Sequence, residues 1–154
     1  EYLGQVFDCN VFRMDDFFLR MEQRTPERMA ETGGNVDYER FEATVLTPVL
    51  RKESVSYQPF SCQSWGLMDA YEIPYRKLNV IEGSYSMHPY FGNPYQLRIF
   101  SNISPEDQME NIKRRNGLEK AEQFRKLWIP NEEAYFEKFR VMDGALEIMW
   151  NMKL

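Results

Sequence analysis

Two cysteines stand in stretches of similar sequence, and their neighbours are residue types that could hold a conjugated ligand. The first stretch, FDCNVFRMDDFF, covers residues 7–18, and the second, FSCQSWGLMDAY, covers residues 60–71. Each has an aromatic residue two positions before the cysteine, another three positions after it, and a Met-Asp pair further on. The similarity fades after Tyr71, which leaves open both a true internal repeat and a chance match of common aromatic residues.

A thiol in this setting has the parts of a covalent tetrapyrrole site. The thiol of Cys9 or Cys62 would add to a vinyl-type group, and the aromatic rings would pack against the conjugated plane. The carboxylates of Asp15 and Asp69 would accept charge-assisted hydrogen bonds from pyrrole N–H groups. A protein built this way would resemble a bilin-carrying linker of an algal light-harvesting antenna. The alternatives are two buried cysteines that act as small apolar residues and a disulfide that joins them.

No other group of side chains predicts a catalytic or metal site. His88 is the single histidine, and nothing in the sequence places it beside either cysteine as a base. Adjacent acids such as Asp15-Asp16 and Glu132-Glu133 point about 100° apart on a helix, near helix starts where the dipole favours them. No glycine-rich phosphate loop with its lysine occurs in the sequence. A cysteine-dependent enzyme is therefore only the third hypothesis, and no cofactor is predicted to be required.

Helical spacing dominates the first third of the chain. Apolar residues recur at spacings of three and four between residues 13 and 24, which predicts a helix there. Thr25 is predicted to cap a short helix that begins at Pro26. A further helix is predicted over residues 37–47, ending at Pro48.

The middle of the chain has a different character. Residues 51–103 are rich in proline, tyrosine and serine, and brief alternation around Val55, Tyr57 and Ile99 predicts short strands. Because disordered segments contain few aromatic residues, we expect this stretch to be ordered, as an extended segment that lies across a partner.

Helix signals return near the C-terminus. Ser104 is predicted to cap a helix that runs to Asn116. A second helix is predicted over residues 118–128, ended by Pro130, and a third from Asn131 through an apolar stripe that reaches Met149.

These patterns predict a mainly α fold of about five short helices, with an irregular, aromatic and proline-rich middle that has room for a few short strands. Three parts are expected: an acidic helical arm (1–50), an extended segment (51–103) and a C-terminal helical part (104–154). Together they would form one compact unit with extensions.

Composition limits the partners. The chain has 154 residues and a net charge of −5; residues 1–50 carry ten acidic and five basic side chains, and the remainder carries fourteen of each. Nucleic-acid binding is not expected, because it needs a basic surface. No apolar run approaches the roughly 20 residues of a membrane span.

The sequence as a whole predicts a non-enzymatic accessory or linker subunit that binds other protein subunits of a larger assembly. The bilin-carrying linker is the alternative form of this role. Because residue 1 is Glu and no signal-peptide pattern follows, we expect a plastid or mitochondrial location after removal of a targeting peptide. Exposed rings anchor protein interfaces, and the candidate anchors here are Tyr57, Phe60, Trp65, Tyr71, Tyr75, Tyr90, Phe91 and Tyr95.

Overall fold

Helices and strands are mixed along the whole chain. The computed structural model describes residues 2–150, and the chain divides into two compact units, Glu1–Pro94 and Tyr95–Leu154. Both units contain helices and a pair of parallel strands, so the protein is mixed α/β. The predicted mainly α fold was wrong, because the described residues form eight short strands, and one stretch with helical spacing pairs as strand β8. The predicted three-part division stays a prediction.

The first unit is built from short elements. Its helices and strands are α1 (Tyr2–Val6), β1 (Cys9–Arg13), α2 (Pro26–Ala30), α3 (Tyr38–Phe41), α4 (Thr47–Leu50), β2 (Val55–Tyr57), β3 (Phe60–Ser61), β4 (Gly66–Leu67), β5 (Tyr71–Ile73) and β6 (Leu78–Glu82). Single 3-10 turns cover Met14–Phe17, Met21–Gln23 and Pro89–Phe91. A π-helical segment, Glu42–Leu46, joins α3 to α4.

Three strand pairs organise this unit. Strand β1 runs parallel to β6, with Cys9 opposite Leu78 and Arg13 opposite Glu82. Strands β2 and β5 pair antiparallel, and β3 and β4 form a small antiparallel hairpin. The strand predicted around Val55 and Tyr57 is thus present as β2.

Aromatic packing holds the segment that follows β1. The ring of Phe17 meets Phe41 edge-on at 4.9 Å and Tyr57 at 5.5 Å between centroids. The 3-10 turn ends at Phe18, whose backbone is extended, and Met21 is 62% exposed. The helix predicted over residues 13–24 was therefore wrong, because only the first turn of its apolar face packs into the core.

The helix cap that the sequence predicts at Thr25 is present in the structure. The side chain of Thr25 accepts a hydrogen bond from the Arg28 N–H at 3.2 Å, which confirms its predicted capping role. The helix predicted over residues 37–47 is present, but it continues past Pro48 to Leu50. The wider π turn before Pro48 relieves the clash that a proline ring makes with the preceding turn of an α-helix.

The second unit has its own parallel pair. Its elements are β7 (Ile99–Ile103), α5 (Pro105–Asn116), α6 (Leu118–Gln123), a π-helical segment (Phe124–Trp128), α7 (Ile129–Lys138) and β8 (Leu146–Trp150). Strand β7 pairs in parallel with β8, from Ile99 opposite Leu146 to Ile103 opposite Trp150.

Ser104 caps α5 as predicted, accepting a hydrogen bond from the Asp107 N–H at 3.1 Å. The predicted end at Pro130 was wrong, because the helix continues through the π-helical segment Phe124–Trp128 into α7, and this wider turn accommodates the proline ring as it does before Pro48. The helix predicted to reach Met149 was also wrong, since α7 ends at Lys138 and Met149 lies in β8.

Candidate functional site

Acidic side chains gather where β1 and β6 end. Asp15 and Asp16 follow β1 directly, and Glu82 is the last residue of β6. Because the strands are parallel and Arg13 is opposite Glu82, the three acids lie at the same edge of the pair. We call this group, Asp15, Asp16 and Glu82, the acidic edge.

Asp16 is fixed by two donors. Arg13 donates from its guanidinium to both carboxylate oxygens of Asp16, at 2.9 and 3.2 Å. The hydroxyl of the buried Tyr57 donates to the same carboxylate at 2.7 Å. Burial and the Asp16 hydrogen bond raise the pKa of Tyr57, so the phenol keeps its proton and its donor role. Asp16 therefore serves as an anchor for the turn that presents Asp15.

Asp15 and Glu82 form the outward part of the acidic edge. Asp15 is exposed. Glu82 is exposed as well. Partial burial of its carboxyl group and the negative charge of Asp15 raise the Glu82 pKa, whereas the positive charge of Arg13 lowers it. Both acids therefore lie at the carboxyl-terminal edge of the strand pair, where the charge of Asp15 acts on Glu82.

Gly83 allows this close approach. Its φ is +123°, and a Cβ at this position would lie 3.0 Å from the Cβ of Met14. A side chain here would thus push the end of β6 away from the turn that carries Asp15. The sequence signal for this feature was the short run LNVIEG, which was not interpreted as a strand followed by a glycine.

The β3–β4 hairpin lies against the same turn. Strand β3 contacts the Met14–Phe17 segment, and the Phe60 ring meets Trp65 at 6.2 Å. Trp65 has a φ of +54° and is half exposed, and the Arg24 guanidinium lies 4.7 Å from its ring centroid. A non-glycine residue with positive φ in a loop is a feature of ligand sites.

Cys62 lies in this hairpin, near the acidic edge. Partial burial raises the pKa of its thiol, and the charges of Asp15 and Asp16 raise it further, whereas the Arg24 charge lowers it. The structure thus brings together Cys62 and Asp15, two of the four residues predicted for bilin attachment.

The other two residues of that prediction lie elsewhere. Cys9 is 3% exposed at the start of β1, and Asp69 is exposed after β4. Both cysteines are free thiols, so the alternative of a disulfide between them is not realised. Attachment of a bilin stays a prediction.

The predicted interface aromatics separate into buried and exposed sets. Tyr57, Phe60 and Phe91 belong to the core. The exposed members are Trp65, Tyr71, Tyr75 and Tyr90, and Tyr95 is intermediate.

His88 lies in an aromatic stack within the first unit. Its ring stacks on Tyr38 at 4.4 Å, and the Arg28 guanidinium lies 3.8 Å from the Tyr38 ring centroid. Nδ1 of His88 accepts a hydrogen bond from the Tyr90 N–H at 3.2 Å. Burial and the charge of Arg28 lower the pKa of His88 to about 4, so the ring is neutral at pH 7.

Metal binding by the acidic edge alone is not indicated. Among residues 2–150 no group of three or more histidine, cysteine or acidic side chains is arranged to hold a metal ion. Two neighbouring carboxylates do suit Mg²⁺, which is usually bound by one or two carboxylates together with waters and substrate phosphates. Asp15 and Glu82 fit that pattern. Within the same residues no helix is both long and apolar enough to cross a bilayer.

The fold is mixed α/β and is similar to that of two solved structures, both described as kinases. A Bacillus stearothermophilus protein described as a possible uridine kinase has a TM-score of 0.62 and 14% identity, over 96% of this chain and 75% of that chain. A Silicibacter protein described as a candidate fructose transport system kinase has a TM-score of 0.60 and 17% identity, over 96% of this chain and 77% of that chain. At such identities the likeness establishes the fold. No protein-family model and no curated protein sequence matches the chain.

These likenesses overturn the predicted role. The prediction of a non-enzymatic accessory or linker subunit, with its bilin-carrying and cysteine-enzyme alternatives, was wrong, because both neighbours are described as kinases. The proline-rich middle that suggested a linker contains strands β2 to β6 and contributes to the core. The predicted protein partners and the predicted lack of nucleic-acid affinity stay predictions.

Proposed function

We propose that the chain forms the acceptor side of a small-molecule kinase, in which a substrate hydroxyl binds at the acidic edge and is phosphorylated. The observation that carries this proposal is the position of Asp15 and Glu82 at the carboxyl ends of the parallel strands β1 and β6. In open α/β sheets, ligands bind at the carboxyl ends of the strands. The likeness in fold to two kinases supports the same reaction class.

Asp15 is the candidate general base. Its exposed carboxylate would accept the proton of the substrate hydroxyl as the hydroxyl oxygen forms a bond to the γ-phosphorus of a nucleoside triphosphate. The bond from that phosphorus to the β–γ bridging oxygen would break, and the nucleoside diphosphate would leave. Asp16 is suited to positioning instead, because Arg13 and Tyr57 already hold its carboxylate.

Glu82 is the candidate second acid. With waters and the donor phosphates it would hold Mg²⁺, whose charge would offset that of the transferred phosphoryl group. The sequence contains no G-x4-G-K-[S/T] run. We therefore propose no residue of this chain as a contact to the donor phosphates.

The hairpin is suited to hold the acceptor. Trp65 offers a half-exposed ring beside the Arg24 guanidinium, close to the segment that carries Asp15. Such a surface can stack on a nucleobase or pack against a sugar ring. The names of the two neighbours, a uridine kinase and a fructose transport system kinase, point to hydroxyl-bearing acceptors of these two kinds.

Acceptor binding is the test. Nucleosides and sugars would be titrated into the chain, up to about ten times the ~1 mM upper end of usual KM values, with amide NMR shifts as the readout. We expect at least one acceptor to shift the signals of Asp15, Glu82 and Trp65. An analogue without the acceptor hydroxyl should bind about tenfold more weakly, because it loses a hydrogen bond to a charged group.

Substitution of Asp15 isolates its role. Asp15→Asn should remove most of the discrimination against the deoxy analogue, whereas Asp8→Asn, an exposed change on the same unit, should not alter it. The ion pair of Asp8 with Arg76 is exposed and contributes little. If no acceptor shifted these signals while the chain stayed folded, the proposal would be wrong.

A further inference from the structure

One guanidinium lies between the two segments that form the candidate site. Arg40, in α3, donates from Nη1 to the carbonyl of Gln58 at 2.7 Å and from Nη2 to the carbonyl of Asp16 at 3.2 Å. Asp16 belongs to the turn that presents Asp15, and Gln58 directly follows β2, at the base of the β3–β4 hairpin that carries Trp65. A single side chain thus joins the turn of the acidic edge to the hairpin.

The surroundings of Arg40 fix its side chain. Only 13% of the side chain is exposed, and the guanidinium carbon lies 4.1 Å from the centroid of the Phe17 ring. Its Nε donates to Oδ2 of the buried Asp37 at 3.4 Å. That carboxylate also accepts hydrogen bonds from the Arg40 N–H at 3.2 Å and from the Gln23 side chain at 3.0 Å. Because a buried charge needs a paired charge, Asp37 holds the guanidinium where it reaches both carbonyls.

The chemistry of arginine suits this position. The guanidinium is planar, and its N–H groups form a rigid fork that can donate in several directions at once. The ammonium group of a lysine is a compact charge on a flexible stem. A lysine at position 40 would keep the positive charge beside Asp37, but it would not reproduce the fork. Arg40→Lys therefore separates the charge of Arg40 from its geometry.

We infer that Arg40 is a positioning residue of the proposed kinase site, which sets the spacing between the turn that carries Asp15 and the hairpin that carries Trp65. This inference rests on the proposed function. An acceptor with its ring on Trp65 and its hydroxyl at Asp15 gains from both contacts only when the spacing between them is right. Arg40 acts through the two backbone carbonyls, since its own side chain is largely buried.

Arg28→Lys is the matched control for Arg40→Lys. The Arg28 side chain is 15% exposed, and its guanidinium carbon lies 3.8 Å from the centroid of the Tyr38 ring. It also donates to two backbone carbonyls, those of Gly34 and Val36, at 3.0 Å each. These contacts join α2 to the segment before α3. The two variants therefore lose similar interactions, and only Arg40→Lys loses them at the candidate site.

The first measurement needs no ligand. The Met68 N–H donates to the Pro59 carbonyl at 2.9 Å, and the Gln58 side chain donates to the Met68 carbonyl at 3.0 Å, so both bonds close the base of the hairpin. In Arg40→Lys the Met68 amide should exchange at least about tenfold faster, relative to the amides of β1. In Arg28→Lys this ratio should change by less than about twofold.

A double variant guards against loss of the fold. Arg40→Gln with Asp37→Asn removes both buried charges together, so that neither is left without its partner. The asparagine can still cap α3. The double variant should show the same rise in Met68 exchange as Arg40→Lys.

The second measurement is the titration with an acceptor and its deoxy analogue. Arg40→Lys should reduce the expected tenfold discrimination to no more than about twofold, whereas Arg28→Lys should keep it. A role in stability alone would weaken both variants and leave the discrimination intact, and that result would overturn the inference. Equal Met68 exchange in the two variants would overturn it too, whatever the titration shows. Absence of acceptor binding to the unchanged chain would instead count against the proposed function, and Met68 exchange would still decide whether Arg40 holds the hairpin to the turn.

Discussion

At the scale of single residues, Asp15 and Asp16 show how neighbouring carboxylates acquire different roles. Asp16 accepts hydrogen bonds from Arg13 and Tyr57, and these bonds fix the turn. Asp15 is exposed beside Glu82, and each negative charge disfavours the other. Asp16, which is held by donors, positions the turn, and Asp15 is the more exposed of the two acids.

Tyr57→Phe tests the anchoring role of Asp16. The change removes a buried hydroxyl that donates to Asp16 at 2.7 Å, and it should lower the free energy of unfolding by about 1–3 kcal/mol in urea denaturation. Tyr71→Phe is the matched control, because Tyr71 is 54% exposed, and it should change stability by less than about 0.5 kcal/mol. Equal losses in both variants would contradict the anchoring role.

His88 should make stability depend on pH. Its pKa is lowered to about 4 in the folded protein, from 6.5. The unfolded chain therefore takes up a proton first as the pH falls, so this contribution is fully present above pH 6.5 and is lost progressively towards pH 4. The loss should reach about 3 kcal/mol over the whole range, at 1.36 kcal/mol for each pKa unit.

The readout is urea denaturation between pH 7 and pH 5. The charges that act on the His88 ring come from Arg28, which lowers its pKa, and from Glu39 and Glu31, which raise it. His88→Phe keeps an aromatic ring against Tyr38 but cannot titrate. It should flatten the pH dependence over this range, and an unchanged slope would show that other groups cause it.

At the scale of elements, the site depends on how closely the end of β6 approaches the turn after β1. Gly83→Ala should lower stability by about 1–3 kcal/mol, because the residue needs a positive φ and its Cβ would crowd Met14. The change should also weaken acceptor binding, since it displaces Glu82 from Asp15. NMR titration and urea denaturation provide the two measurements.

Gly92→Ala is the control for that variant. Gly92 also has a positive φ, of +65°, but nothing lies within 4 Å of the Cβ position. This variant should lose stability and keep its acceptor affinity. If it also lost affinity, the crowding of Met14 would not be the cause.

The sequence revealed the elements whose signals are local. The caps at Thr25 and Ser104 could be predicted because a capping side chain bonds within three residues. The pairing of β1 with β6 could not, because its partners are far apart in sequence and both strands are short. The acids of the site were visible, yet Asp15-Asp16 was interpreted as a helix start. Only the parallel pairing brings Glu82 to Asp15.

Apolar spacing gave wrong helix predictions where another kind of element fits the same spacing equally well. Met14 and Phe17 are three residues apart, and both are buried by a single 3-10 turn, so a long helix was not needed. Leu146 and Met149 fit a helical stripe but lie in β8, which pairs with β7. In the second case the pairing partner, which periodicity does not report, decided the structure.

At the scale of the whole molecule, the residues of the candidate site belong to one unit. Asp15, Asp16, Cys62, Trp65 and Glu82 all lie within Glu1–Pro94. The net charge of −5 likewise comes from residues 1–50. Acceptor binding should therefore follow the stability of the first unit.

Ser104→Ala tests this assignment. The change removes the cap of α5, which accepts from the Asp107 N–H and donates to its carboxylate at 2.9 Å, and it should destabilise the second unit by about 1 kcal/mol. Hydrogen exchange in α5 should accelerate while acceptor-induced shifts at Asp15 and Trp65 stay the same. A parallel loss of acceptor affinity would show that the second unit contributes to binding.

The free thiol of Cys62 has a practical consequence. Cys9 is buried in β1, so an alkylating dye should label Cys62 alone in the native protein, best at mildly alkaline pH because its pKa is raised. A fluorophore attached there would stand next to the carboxylates without any engineered mutation. A change in its fluorescence emission would then report ligand binding, which would allow compound collections to be screened.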